Sequence, residues 1–500
     1  MSVDHQPPKA APAPLSDLNP RTEPALDFPD ADFGQLTAED YDTLGFMCGL
    51  EVHQQLDTAS KLFCRCPAGV RTTRVDAEVL RHMRPTLSEM GEYDGTALME
   101  FKTRKEIVYQ LERSSVCTYE MDDTPPFEID REAVTIALRQ SRIMDMNPVG
   151  ELHVMRKQYL DGSIPTGFQR TTMVALGGAI PFHDSELGSD RVLRIRQMSL
   201  EEDSAREVSD VGHRIVFRTD RLGMPLTEVV TEPDLLTPID VERGARLISS
   251  VAHATGRVRR GAGAARQDVN VSVAGGRRVE IKGVPRQSML PLLVHTEAFR
   301  QLNLLRVREE LLSRGVEPAM LELPVTGVPW EVSDLSSSVG GLLRKCDFIP
   351  VRDALERGDT VAAVRLVGFG GLMNHPTQPG MPFATEIAGR VRVVACLTGR
   401  PFMIHSGVEY GLKGSEWAQI RKSLGAGSRS EDAVVVLWGT EQDVATGCRE
   451  VLLRAQDALV GVPSETRQAF GDATSGFERI LPGPERMYPD TDTPPVPVTS

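Results

Sequence analysis

Gly49-Leu50-Glu51-Val52-His53 and Arg266-Gln267-Asp268-Val269-Asn270-Val271-Ser272-Val273 read as strands with two unlike faces. Successive side chains in a strand point to opposite sides. Leu50 and Val52 are therefore offered to a core, while Glu51 and His53 share the other side. In the second stretch Val269, Val271 and Val273 make the apolar face, and Asp268, Asn270 and Ser272 the polar one. Val279-Glu280-Ile281-Lys282-Gly283 alternates in the same way. Leu226-Thr227-Glu228-Val229-Val230 sets a carboxylate into an apolar, β-branched run. These patterns predict a large α+β domain whose polar strand faces converge on one cleft. Helices are expected after Pro238, on the stripe Val241, Ala245, Ile248 and Ala252, and from Met289 to Arg314, where Gly315 ends the run.

A carboxylate in so apolar a strand is costly unless it is paired, hydrogen-bonded or metal-bound. Glu51, Glu228 and the acidic run Glu201-Glu202-Asp203 together suggest an oxygen-rich site for a hard cation, and hence phosphate chemistry.

The chain has 500 residues, enough for several domains, and 25% of them are charged, as in ordinary globular proteins. It contains no run of about 18 apolar residues of the kind that spans a membrane. Seven cysteines without secreted-type spacing point to a reduced, cytoplasmic protein. The net charge of −14 excludes nucleic-acid binding through the overall field. Any RNA contact must be local, and Arg257, Arg259, Arg260 and Arg266 form the densest basic cluster.

Composition divides the chain into a disordered Pro- and Ala-rich leader (1–35), a cradle domain (36–330), a connector broken by serines and glycines (331–365), an inserted α/β module (366–460) and a return segment completing the cradle (461–500). Within the module, strands are expected at Val391–Leu397 and Ala433–Trp438, and a helix at Glu441–Leu459.

Several long motifs resemble the GatB/GatE amidotransferase family, and in particular its archaeal-type GatE branch, the GatE subunit of glutamyl-tRNA(Gln) amidotransferase. They are GLEVHQQLDTASKLFCRC (49–66), DGSIPTGFQRT (161–171), LEED (200–203), DRLGMPLTEVVTEPD (220–234), RQDVNVSV (266–273), VEIKGV (279–284) and the closing RMYPDTDTPP. Asp220-Arg221-Leu222-Gly223 favours the GatE type, and 366–460 resembles the insertion shared with bacterial aspartyl-tRNA synthetases. The resemblance implies an ATP- and magnesium-dependent phosphorylation of the side-chain carboxylate of a misacylated Glu-tRNA(Gln). Amidation would follow, with ammonia from a separate asparaginase- or amidase-like partner, in a hetero-oligomer.

Carried over by motif, Glu51, His53, Glu202 and Glu228 are the expected catalytic and metal-binding residues, with Glu202 taken as the inward member of its acidic run. Arg170, Arg221, Arg266, Asp268, Asn270 and Lys282 are expected at ATP, phosphate or substrate. Cys64-x-Cys66, with Cys48 and Cys117, lacks the paired hooks of a zinc site, so inert thiols are expected rather than structural zinc.

The chain departs from the family at Ser199 (usually His), Ala205-Arg206 (Gly-Lys) and Ile164-Pro165-Thr166 (Asn-Thr-Ser). A C-terminal helical and tail region that grips tRNA is expected to be lacking after Ser500. These departures leave two alternatives, a paralogue acting on another carboxylate and a non-catalytic scaffold for tRNA or a partner.

Overall fold

The computed structural model describes residues 17–85, 93, 95–184, 189–323, 329–332, 335–426, 431–481 and 486–498. Its centre is an eleven-stranded mixed sheet. The Met47–Gln55 strand lies in the middle, flanked antiparallel by Pro225–Thr231 and Ala265–Ser272. Outward from the first run Ser189–Glu202, Phe168–Asp184, Val154–Gln158 and Met487–Pro489. Outward from the second run Val279–Val284, Glu465–Ala469 and Ser475–Ile480, and the 279–284/465–469 pair is parallel. The last part of the chain thus supplies strands to both edges of the sheet.

One side of this sheet is covered. Leu50, Val52, Val269 and Val271 are buried there against the helices Arg131–Ile143, Pro238–Ala254 and Leu290–Ser313. Thr237 caps the second helix through its hydroxyl, and Pro238 occupies its first turn. The third helix ends at Ser313, two residues before Gly315, whose φ of +70° suits glycine. The predicted two-faced strands and both predicted helices are present.

A second, four-stranded sheet (Ala77–Arg81, Glu106–Leu111, Arg214–Arg218, Arg206–Val211) builds one rim of the cradle around Ile107, Tyr109, Ile215 and Phe217. A third carries the inserted module: Ser336–Ser338, Thr360–Leu366, Ala433–Gly439 and Met403–His405. Two expectations are corrected here. The presumed connector, 331–365, holds two strands of this third sheet and the helix Ile349–Glu356 between them. The β-branched run at 391–397 is not a strand but closes the helix Phe383–Val394, because Ile387, Val391 and Val394 recur at helical spacing and bury together.

The leader is likewise ordered from residue 17: Asp17 and Asn19 are buried, and the Asn19 side-chain amide donates to Gly45 O and Ser272 Oγ, both at 2.9 Å. Residues 1–16 lie outside the described residues. No described helix is long and apolar enough to cross a membrane.

Candidate active site

Strand register decides which acidic side chains meet. His53 stands opposite Glu228 on one neighbouring strand and opposite Arg266 on the other, and Glu51 stands opposite Asp268. Directly opposed residues share a side of the sheet. Leu226, two residues before Glu228, is opposite Glu201, which therefore joins the same side. Further out, Thr171 is opposite Glu201 and Gln169 is opposite Lys157. On the other flank Glu280 is opposite Asn270. This polar side floors a cleft of about 880 Å³. Its facing walls are the helix Gly95–Lys102, the segment around Arg392 and Thr398, and Phe477–Arg479.

Two clusters lie side by side on the floor. His53, Glu201 and Glu228 each offer a ligand atom within 4.8 Å of the others, and so do Glu51, Asp268 and Glu280. His53 Nε2 is 3.2 Å from Glu228 Oε1, and Lys157 Nζ is 3.9 Å from both Glu201 Oε1 and Glu228 Oε1. In the second cluster Lys282 Nζ is 2.8 Å from Glu280 and 3.6 Å from Asp268, while Asn270 donates to Glu51 Oε1 at 2.9 Å.

The electrostatics follow from crowding. Burial, helped by repulsion from Glu280 and Glu228, pushes the Glu51 carboxyl up to about 7. Burial acts on Glu228 too, but Lys157 and His53 outweigh it and hold that carboxyl far below its usual range. Against the burial that would lower it, His53 is raised to about 9 by its hydrogen bond to Glu228 and by the charges of Asp268, Glu228 and Glu201. Lys282 overcomes burial to hold Glu280 at about 2. Five carboxylates thus share a floor with two lysines and one imidazole. Such a donor set fits a hard cation, which relieves the excess negative charge.

Of the expected binding residues, Arg266 and Arg221 line the cleft but are already engaged. Arg266 donates to Asp203 Oδ1 at 2.7 Å, and Arg221 donates to the Ser204 and Ala205 carbonyls at 2.9 and 2.8 Å. Asp268 accepts from Gly283 N at 2.7 Å.

Two expectations are corrected by parity. Glu202 points to the side of the sheet opposite Glu201, where it accepts from Tyr119 OH at 2.5 Å and from Arg170 N at 3.2 Å. Arg170 is buried outside the cleft and holds the C-terminal segment, donating to Asp490 Oδ2 and Asp492 Oδ2 at 3.0 Å each. The inward acid is Glu201. Lys157, which no motif singled out, and Glu280 of the second cluster were also missed.

The departing positions also take their places. Ser199 stands opposite Glu228, Ile164 joins the small rim core, and Arg206 is paired with Asp220 at 2.6 Å. The basic cluster is partly neutralised, Arg257 by Glu132 and Arg259 by Asp57 at 3.7 Å.

Cys64, Cys66 and Cys117 meet at Glu120, with ligand atoms within 4.8 Å of one another. The spacing argument missed this because the fourth member is a carboxylate in a Cys-x-x-Glu. Hydrogen bonds from Cys64 and then Cys66 hold the Cys117 thiol far below its ordinary range. Glu120 is already engaged, by Lys61 Nζ at 2.6 Å and Cys117 N at 3.3 Å. Cys48 lies elsewhere, in the core.

Residues 46–500, which include every cleft residue above, match the family model described as the GatB/GatE catalytic domain. The chain belongs to the GatB/GatE family. It is similar to the GatE subunit of glutamyl-tRNA(Gln) amidotransferase from Methanocaldococcus jannaschii, with 39% identity over 457 residues, covering 91% of this chain and 69% of that one. The GatE proteins of Pyrobaculum calidifontis and Aeropyrum pernix are each 40% identical, over 92% and 91% of this chain and 72% and 68% of their own lengths. The sequence resemblance is thereby confirmed, and the α+β cradle is that of an amidotransferase enzyme family.

Proposed function

We propose that this chain activates the side-chain carboxylate of glutamyl-tRNA(Gln) with ATP and passes the acyl phosphate to ammonia. The observation that carries the reading is the His53, Glu201 and Glu228 cluster, set beside Glu51, Asp268 and Glu280 on one open sheet face. The names of the GatE relatives supply the substrate.

A carboxylate is a weak electrophile with a poor leaving group. Attack of its oxygen on the γ-phosphorus, with departure of ADP, converts that oxygen into part of a good leaving group. Ammonia then forms the C–N bond as phosphate leaves, and a proton is lost from nitrogen. Phosphoryl transfer is mostly positioning and charge neutralisation. Glu201 and Glu228 would hold magnesium, which supplies that neutralisation when bound. Glu228 keeps His53 oriented through their hydrogen bond, and Asp203 keeps Arg266 directed along the cleft. Ammonia comes from an asparaginase- or amidase-like partner in a hetero-oligomer, and the setting is cytoplasmic.

The test is ADP release from ATP and magnesium with ammonium chloride, comparing Glu-tRNA(Gln), uncharged tRNA and free glutamate. Turnover with Glu-tRNA(Gln) alone is expected. Turnover with free glutamate would replace the reading by a ligase acting on another carboxylate. No turnover with any of them would leave a scaffold role.

A further inference from the structure

Among the floor cations, Lys157 stands apart in how its donors are used. Arg266 spends its guanidinium on Asp203 at 2.7 Å, and Lys282 is bonded to Glu280 at 2.8 Å. Lys157 Nζ is held 3.9 Å from both Glu201 and Glu228, close enough for attraction but beyond a hydrogen bond, and it bonds to no other described residue. Its side chain is only 22% exposed, and it opens into the cleft. Three N–H donors of one half-buried ammonium are therefore free beside two of the carboxylates suited to a cation.

Two residues on, Tyr159 also lines the cleft. Arg486 packs on its ring at 3.7 Å from the centroid and Arg479 at 5.2 Å, while its hydroxyl bonds to no described residue. The backbone of Tyr159 is tied to Gly167 O at 2.8 Å, so the hydroxyl is carried on a braced segment. An ammonium and a hydroxyl with unused donors, next to a cation-binding set, form half of a site whose other half is an oxyanion.

We propose that Lys157 and Tyr159 form the seat for the phosphoryl group, donating hydrogen bonds to its non-bridging oxygens while the floor carboxylates hold the counter-cation. The inference rests on the phosphoryl-transfer reading above and adds the residues that grip the transferred group. An ammonium binds a tetrahedral anion as a point charge, without the fixed two-bond geometry of a guanidinium fork. The competing account makes Lys157 only a neutraliser of Glu201 and Glu228. The two accounts differ at the anion: either allows divalent-cation binding to tighten when Lys157 is removed, but only the seat requires phosphate affinity to fall in Tyr159→Phe, which changes no charge, as well as in Lys157→Met.

The experiment titrates inorganic phosphate into the full chain at saturating magnesium, by phosphorus NMR line shift, for wild type, Lys157→Met, Lys157→Arg and Tyr159→Phe. Manganese affinity is measured alongside. The expected result is a loss of phosphate affinity of about 10- to 100-fold in Lys157→Met, partial recovery in Lys157→Arg, and a smaller loss in Tyr159→Phe. Manganese binding is expected to be unchanged or tighter in Lys157→Met, which also shows that the fold survives. Equal phosphate affinity in wild type and Lys157→Met overturns the seat, and so does a wild type that binds no phosphate. ADP release run in parallel separates the two readings. Lys157-dependent phosphate binding without turnover on any carboxylate overturns only the proposed reaction. Turnover with phosphate binding indifferent to Lys157 overturns only the seat.

Discussion

Glu201 and Glu202 are adjacent and chemically identical, yet strand parity assigns them opposite roles, and that difference is measurable. In Glu201→Gln the side chain keeps its size and can still accept from Thr171, whose hydroxyl is 2.6 Å from the Glu201 carboxylate, but the charge beside His53 and Glu228 is gone. A unit charge about 4 Å from a bound divalent ion is worth about 8 kcal/mol at an effective dielectric near 20. Hydration of the ion screens most of that, so a loss of about 10- to 100-fold in cation affinity, or roughly 1.4–2.7 kcal/mol, is expected. Glu202→Gln leaves the cation-facing side untouched. It instead weakens the acceptor for Tyr119 and Arg170 and costs stability, about 1–3 kcal/mol. Isothermal titration with manganese or magnesium reads the first effect and urea denaturation the second. If Glu202→Gln weakened cation binding as much as Glu201→Gln, the register argument and the site built on it would be refuted.

Three further outcomes are expected. Lys61 and Glu120 form a fully buried ion pair at 2.6 Å, so Lys61→Met strands a carboxylate and costs about 3–5 kcal/mol, while Lys61→Met with Glu120→Leu recovers much of it; a single-variant loss below about 1 kcal/mol in urea denaturation contradicts the pairing. Glu51 is raised from 4.5 to about 7 on folding, so the native state binds the extra proton between those values. Stability from this group is full below pH 4.5 and is lost as pH rises towards 7, by about 3 kcal/mol. In chelator-treated protein Glu51→Gln should flatten that fall, and an unchanged pH profile would count against it. Asp490 and Asp492 are held by Arg156, at 2.6 and 2.7 Å, as well as by Arg170, so Arg156→Met with Arg170→Met should free the Met487–Pro489 strand, and limited proteolysis should cut near it at rates well above wild type; equal cutting rates would show that the anchor is not needed.

The two-faced strands were legible because alternation is local: Leu50 and Val52 against Glu51 and His53 state their own orientation. The same logic was available at 199–202 and points the right way. Leu200 is fully buried, so Glu202 shares its side and Glu201 faces away with Ser199. Motif position without parity chose the wrong acid. Other features had no local signal. Arg170 is claimed by Asp490 and Asp492, more than 300 residues away, and only the folded chain brings that segment to it. The Ser336–Ser338 strand has no propensity of its own and exists because Thr360–Leu366 offers an edge. Lys157 is one lysine in a short strand, inconspicuous until Glu201 and Glu228 approach it. Cys117 and Glu120 complete a cluster with Cys64 and Cys66 that a search for paired cysteine hooks passes over.

The junction between the inserted module and the sheet is built from charges that should be costly to bury. Arg300, Arg454 and Arg467 are buried with Glu297, Glu386 and Glu465, drawn from the helices Leu290–Ser313, Phe383–Val394 and Glu441–Val460 and the strand Glu465–Ala469. Arg467 reaches Glu386 at 3.1 Å and Glu465 at 2.5 Å, and Arg300 bonds to Glu465. Three cations against three anions balance, so each charge is compensated only while all four elements keep their places. An apolar junction would bury equal area at less desolvation cost, but it would tolerate sliding. Sliding here would be damaging. The 465–469 strand pairs in parallel with Val279–Val284, which carries Glu280 and Lys282 on the cleft floor, and it leads into Phe477–Arg479 on the facing wall. A junction that loses its compensation when displaced therefore fixes the distance between floor and wall, and with it the width of the cleft in which phosphate chemistry is proposed to occur.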